Sequence, residues 1–227
     1  MARAFFRHEL FRFLADLKRN NDRAWFTGNK ERYEREVRGP MLAFISELAA
    51  PLGRVDRAAV ADPRPAGGSL FRIHRDTRFS KDKSPYKTHV GALFKHRSAR
   101  DVHAPGYYLH LEPGRVFGGA GIWHPDSASL RRIREAIVDN PALWKRITGA
   151  RAFRGAGRLQ GEAAKRAPRG FDPEHPLIED LKRKDFTLLA EWPEGAALRT
   201  DFLQRYLRFC RATAPLNHFL AGALGLD

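Results

Sequence analysis

Cysteine is almost missing from this chain: Cys210 stands alone, which excludes an intrachain disulfide and any multi-cysteine metal cluster. Long apolar runs are missing too, since none approaches the ~18 residues of a membrane span. The opening residues, Met-Ala-Arg-Ala-Phe-Phe-Arg-His-Glu-Leu, carry charge throughout and hold neither an apolar h-region nor a small-residue cleavage site. No GxxxxGK[ST] loop occurs, and His8-Glu9 is not followed by the second histidine of a zinc-protease helix. Gly155-Ala-Gly157-Arg-Leu-Gln-Gly161 is one residue too long for a dinucleotide fingerprint, and no clear strand precedes it. A Gly-x-Ser-x-Gly elbow is absent as well. These gaps leave a soluble, cytoplasmic protein with no membrane partner as the expectation, and they name no cofactor.

Acid is in deficit, with 26 Asp and Glu against 41 Lys and Arg, for a net charge of +15. Arg outnumbers Lys by 31 to 10, so part of the excess reflects composition, and distribution is the better guide. Arg72–Arg100 holds nine cations (Arg72, Arg75, Arg78, Lys81, Lys83, Lys87, Lys95, Arg97, Arg100) against Asp76 and Asp82. Such a segment attracts phosphate, carboxylate or nucleic acid, or it only solvates a surface. The 227 residues are 43% hydrophobic, with 16 Phe and 4 Trp, enough to build a core and too much for a disordered chain.

Phe6, Leu10, Phe13, Leu14 and Leu17 recur at helical spacing, and Asn20-Asn21 offers a left-handed end to that helix. A second helical stretch runs from about Asp22 to Leu52, with a kink expected at Pro40. Pro51–Ser69 reads as a loop. Four short segments then follow without an intervening helix: Phe71–Phe79, Lys87–Lys95, Tyr107–Glu112 and Arg115–Trp123. They read as an antiparallel meander, with Glu112-Pro113-Gly114 as a turn. Helical spacing returns after Asp126 or Ser127 as N-cap and again after Asn140-Pro141. Residues 151–176 are Gly, Arg and Pro rich and read as irregular, Phe186–Glu191 as an edge strand, and the chain from Thr200 as a helix. The expectation is a single α+β domain over 1–227, with an antiparallel sheet of about four to six strands and the N- and C-terminal helices packed mainly on one face. Residues 4–52 are its helical part, 70–124 its sheet and 126–227 its helical and irregular part.

Strand side chains alternate between faces. Val90, Ala92, Phe94, Leu109 and Leu111 therefore predict a buried face, and Arg72, His74, Asp76, Arg78, His89, Tyr108, His110 and Glu112 the opposite one. That second face either meets water or carries a site. As a site, Arg72, Arg78, Lys81, Lys83, Tyr86, Lys87 and Tyr108 are the ligand-binding candidates and His89, His110 and Glu112 the proton-transfer candidates. Arg72 and Arg78, six residues apart on a strand, are ~20 Å apart. Arg78 with Lys81, Lys83 and Lys87 is therefore the expected cluster and Arg72 the outlier. His74, His89 and His110 with Asp76 or Glu112 could ligate a metal only from separate strands, without local spacing, so no metal is assigned. Cys210 sits among apolar helical positions as an inert thiol.

Asn20-Asn-Asp-Arg-Ala-Trp-Phe26, the block Phe71–Thr88 and Gly106-Tyr-Tyr-Leu-His-Leu-Glu-Pro-Gly114 resemble segments of the bacterial and fungal family called domain of unknown function 2461. Gly118-Gly-Ala-Gly-Ile-Trp-His-Pro125 and Pro168-Arg-Gly-Phe-Asp-Pro-Glu-His-Pro176 are similar in the same order. The resemblance implies one intracellular domain; His74 stands where it leads one to expect Tyr. The leading functional expectation is a basic site for a phosphorylated or carboxylated small molecule, with catalysis left open. The second is a nucleic-acid module in which Tyr86, Tyr107 and Tyr108 stack on bases. The third is a structural or interaction protein whose charge confers solubility.

Overall fold

A computed structural model describes residues 3–78, 81–99 and 104–226. Phe79, Ser80 and Arg100, which belong to the expected first strand, basic loop and basic segment, lie outside the described residues.

Helix α1 (His8–Arg19) buries Leu10, Phe13, Leu14 and Leu17 as its spacing predicts. It ends at Asn20 with φ −129° rather than a left-handed turn; the Asn20 backbone and side-chain N–H groups both donate to the Asp16 carbonyl. Asp22 caps α2 (Arg23–Gly28) by accepting from the Trp25 N–H at 2.9 Å. The expected long second helix is broken. Beyond α3 (Lys30–Tyr33), residues Glu34–Arg38 form a π turn before α4 (Gly39–Val55). Pro40 lacks an N–H and its ring crowds the carbonyl four residues back, so the ladder shifts register there and Gly39 donates to the Glu34 carbonyl instead. Pro51 does not end α4. Leu48 and Leu52 are fully buried on either side of it, and that burial outweighs the lost bond.

The sheet has five strands in the order β1 (Val90–Lys95), β2 (Gly106–Glu112), β3 (Arg115–Ile122), β5 (Phe186–Trp192) and β4 (Arg158–Gln160), each neighbour antiparallel. Register places Val90 opposite Leu111, Ala92 opposite Leu109 and Phe94 opposite Tyr107. All are buried on the face covered by α1 and the long α10 (Phe202–Leu224), with α4 packed on α10. Strand β5 is interior rather than an edge: the three-residue β4, inside the stretch expected to be irregular, covers its outer side. Helix α7 (Arg151–Ala156) also lies in that stretch, and the short α8 (Ile178–Leu181) and α9 (Glu194–Ala197) come before and after β5. Helices α5 (Ser127–Asp139, capped by Asp126) and α6 (Pro141–Gly149) pack on α10.

The clearest departure is the expected first strand. Residues 69–71 touch the β1 edge, with the Phe71 N–H donating to Gly91 and the Leu93 N–H to Ser69. The chain then leaves the sheet and folds back on itself. The Arg75 N–H donates to the Pro85 carbonyl and the Lys87 N–H to the Ile73 carbonyl, both at 2.8 Å. Charged residues alternate with few apolar ones here, so the arm lacks the side chains to cover a sheet. Its buried anchors, Ile73 and Tyr86, dock elsewhere in the core.

Candidate functional site

Strand β2 places Tyr108, His110 and Glu112 at every second position, so all three share the sheet face away from α10. They are linked in series. The Tyr108 hydroxyl lies 3.0 Å from His110 Nδ1, and His110 Nε2 lies 3.2 Å from Glu112 Oε2. With the phenol as donor at Nδ1, the imidazole proton sits on Nε2 and is given to the carboxylate. Thr88 Oγ1 donates to the other Glu112 oxygen at 3.5 Å.

Glycine makes room for this row. Gly91 faces His110 across the β1–β2 ladder, and a Cβ there would strike the Tyr108 hydroxyl and ring. Gly119 faces Tyr108 from β3. The His110 ring is sandwiched between His89 and Phe117, both with centroids at 4.5 Å and nearly parallel planes. This face is therefore packed, not solvated: His110 is 6% exposed and Phe117 8%.

Burial pushes both imidazoles toward neutrality. The His89 pKa falls to about 4, first through burial and then through the charges of His110, Lys87 and Arg75, against the pull of Glu112. Burial lowers His110 as well, against the pull of Glu112. Burial raises the Tyr108 phenol. Cations border these neutral groups: the Lys87 ammonium lies 5.2 Å above the Phe71 ring and the Arg115 guanidinium 4.9 Å above Phe117.

His89, Tyr108, His110, Glu112 and Lys87 thus come together. Arg72 lies next to Lys87: Lys87 Nζ donates to the Arg72 main-chain carbonyl at 3.0 Å, and after burial the Arg72 charge also lowers the Lys87 pKa. The expected grouping is reversed: the hairpin pairs Arg72 with Lys87 and carries Arg78, Lys81 and Lys83 out along the arm. Arg78 binds Asp76 and holds its carboxyl at about 2, Lys83 donates to the Thr77 carbonyl, and Lys81 is exposed. His74 and Asp76 travel with the arm and do not share the sheet face. Tyr86 is buried against Phe26, stacked at 4.2 Å.

Sequence reasoning passed over several contributors. Arg115 and Phe117 could have been found by carrying the parity argument through the Glu-Pro-Gly turn, which sets Phe117 opposite His110. Asn21 is less legible. Its side-chain amide donates to the Tyr86 carbonyl and accepts from the Tyr86 N–H, both at 3.0 Å, and so clamps the arm to the N-terminal helices. Two of the resembling segments meet at that clamp. The family model described as "Conserved hypothetical protein (DUF2461)" matches residues 9–219. The chain belongs to the DUF2461 family. No curated protein matches this DUF2461 chain.

Tyr107 lies on the core face and is fully buried, its hydroxyl donating to Asp56 Oδ2 at 2.8 Å. It is therefore not placed to stack on a base, and neither is Tyr86. A small cleft near that bond is lined by Asp56, His96, Asn217 and His218, and a larger one by Phe5, Arg7, Glu9 and Arg35. Among the described residues, no group of three or more His, Cys, Asp or Glu is placed to hold a metal ion.

Proposed function

We propose that this DUF2461 protein binds a phosphate- or carboxylate-bearing small molecule over the Tyr108–His110–Glu112 row. One observation carries the reading: the cationic heads of Lys87 and Arg115 stand beside histidines that burial keeps neutral. With the histidines and the phenol uncharged, Lys87 and Arg115 outnumber the single Glu112 carboxylate, and a net positive site suits an anionic ligand. The Arg72 charge, close enough to act on Lys87, adds a fork of donors. His110 is too buried to meet a ligand, so it is a positioning residue. Glu112 fixes its tautomer, and the half-buried Tyr108 hydroxyl is the point where a proton passes between relay and ligand. Among the described residues no helix is long and apolar enough to cross a membrane; a cytoplasmic setting is part of this proposal.

The test is a thermal-shift screen over inorganic phosphate, sugar phosphates, nucleotides and dicarboxylates, since a ligand of the folded state raises apparent stability. At least one should stabilise the parent, with the response lost in Lys87→Ala and Arg115→Ala and kept in Lys81→Ala. No response from the parent, or an unchanged response in both variants, refutes the reading.

A further inference from the structure

We propose that a second surface, built from α6, α7, β4 and residues 161–170, docks the phosphate backbone of a nucleic acid. Between Lys145 and Arg169 the chain carries eight cations: Lys145, Arg146, Arg151, Arg154, Arg158, Lys165, Arg166 and Arg169. Every one is exposed. Glu162 is the only acid among them, and it pairs outside the segment, with Lys184 at 3.0 Å.

The contrast with the rest of the molecule is what gives this surface meaning. Many arginines elsewhere are paired: Arg12 with Glu9, Arg19 and Arg32 with Asp16, Arg38 with Glu34, Arg75 with Asp82 and Arg78 with Asp76. Arg54, Arg57 and Arg97, which make no ion pair among the described residues, are dispersed and form no such run of their own. The neighbouring 179–184 turn is neutralised in the same way, Lys182 by Glu179 and Arg183 by Asp180. Among the described residues none of the eight cations makes an ion pair. A face that only needed to be wet would tolerate interleaved acid, whereas uncompensated like charge repels itself unless a polyanion relieves it.

The segments that carry these cations are firmly held. Helices α6 and α7 pack on each other and on α10. Strand β4 is bonded to β5, and the Ala164 N–H donates to the Lys182 carbonyl at 2.8 Å. The α6 residue Trp144 donates to Asp180 at 2.8 Å, next to that same turn. Trp144, Ile147 and Phe153 point inward and are buried, so the cations ride on a fixed frame.

The chemistry separates the partners. Six of the eight are Arg, whose planar fork matches phosphate oxygens. A membrane surface calls for apolar side chains to insert, and the exposed large hydrophobics, Val60 and Trp123, lie outside this segment. The absence of an exposed aromatic here also argues for backbone contact without base stacking.

The experiment measures fluorescence anisotropy of a short labelled duplex of mixed sequence at NaCl concentrations from about 50 to 200 mM. Each phosphate contact contributes ~0.9 to the slope of log affinity against log salt. Replacing Arg151, Arg154 and Arg158 together by Gln should lower that slope by about 2–3 and the affinity at least about tenfold. Lys145→Gln with Arg146→Gln, on a separate helix, gives a second reading should the triple variant fold poorly. The matched control replaces the exposed Arg54, Arg57 and Arg97 by Gln and should leave the slope unchanged. Equal losses in face and control variants, no duplex binding by the parent, or binding to phosphatidylserine vesicles in place of duplex would overturn the proposal.

Discussion

At the scale of single residues, two histidines and a glycine decide what the polar face is. His89 and His110 have folded pKa values depressed by burial, so the unfolded chain binds more protons between the ordinary histidine pKa and about 4. Stability therefore rises with pH across that window and is lost as pH falls from about 6.5 toward 4. Urea midpoints measured through this range should drop with acid, and His89→Gln should shallow the drop while leaving the His110 part. A flat profile in the parent would show that His89 is not held neutral. Gly91 sets the geometry. Its missing side chain is the space that Tyr108 occupies, so Gly91→Ala should cost about 1–3 kcal/mol through overpacking. It should also release the Tyr108–His110 bond, seen as altered His110 tautomer signals in nitrogen NMR. Signals identical to the parent would mean that Tyr108 is not wedged there.

At the scale of elements, what the sequence reveals depends on whether pairing is local. Parity in β1 and β2 identifies the buried set and the polar row, because the side-chain period is fixed by backbone geometry alone. The β2–β3 hairpin is legible from Pro113-Gly114, and α5 from Asp126, since each is decided within a few residues. The Phe71–Phe79 segment is not. Its alternation looks strand-like, but it carries few apolar side chains, and where its arm docks depends on Asn21 and Phe26, some fifty residues away in the chain. For the same reason Tyr86 reads as an exposed ligand group when it is a core anchor, and Lys87 is grouped with Arg78 rather than Arg72. The three-residue β4 has too few side chains to show a period. The clamp carries a prediction. Asn21→Ala removes two hydrogen bonds to the Tyr86 backbone and should cost about 1–3 kcal/mol. Amide exchange should quicken selectively at Arg75 and Lys87, the hairpin donors. Uniform acceleration across the sheet would instead mark Asn21 as a general core residue.

At the scale of the whole molecule, a buried polar junction joins distant parts of the chain. Asp56, just past α4, accepts from the β2 residue Tyr107 at 2.8 Å and from the Ala58 N–H at 3.0 Å. On α10, His218 Nε2 lies 3.3 Å from the same carboxylate, and Asn217 donates to the Gly106 carbonyl at 3.2 Å. Asp56 is 4% exposed, so each bond offsets desolvation that the carboxylate would otherwise bear in full. Tyr206, on the same helix α10, offers a natural control. It is fully buried, and among the described residues its hydroxyl has no hydrogen-bond partner stronger than the weak Cys210 thiol. Deleting either hydroxyl leaves the ring and its packing in place, yet the two losses differ in kind. Tyr107→Phe strips a donor from a buried carboxylate and should cost about 1–3 kcal/mol, or about 2–4 °C of melting temperature per kcal/mol in a chain of this size. Tyr206→Phe removes a polar atom that folding left without a strong bond, so stability should hold or rise slightly. Equal melting temperatures for the two variants would mean that the Asp56 junction does not hold α4, β2 and α10 together, and that their packing rests on apolar contact alone.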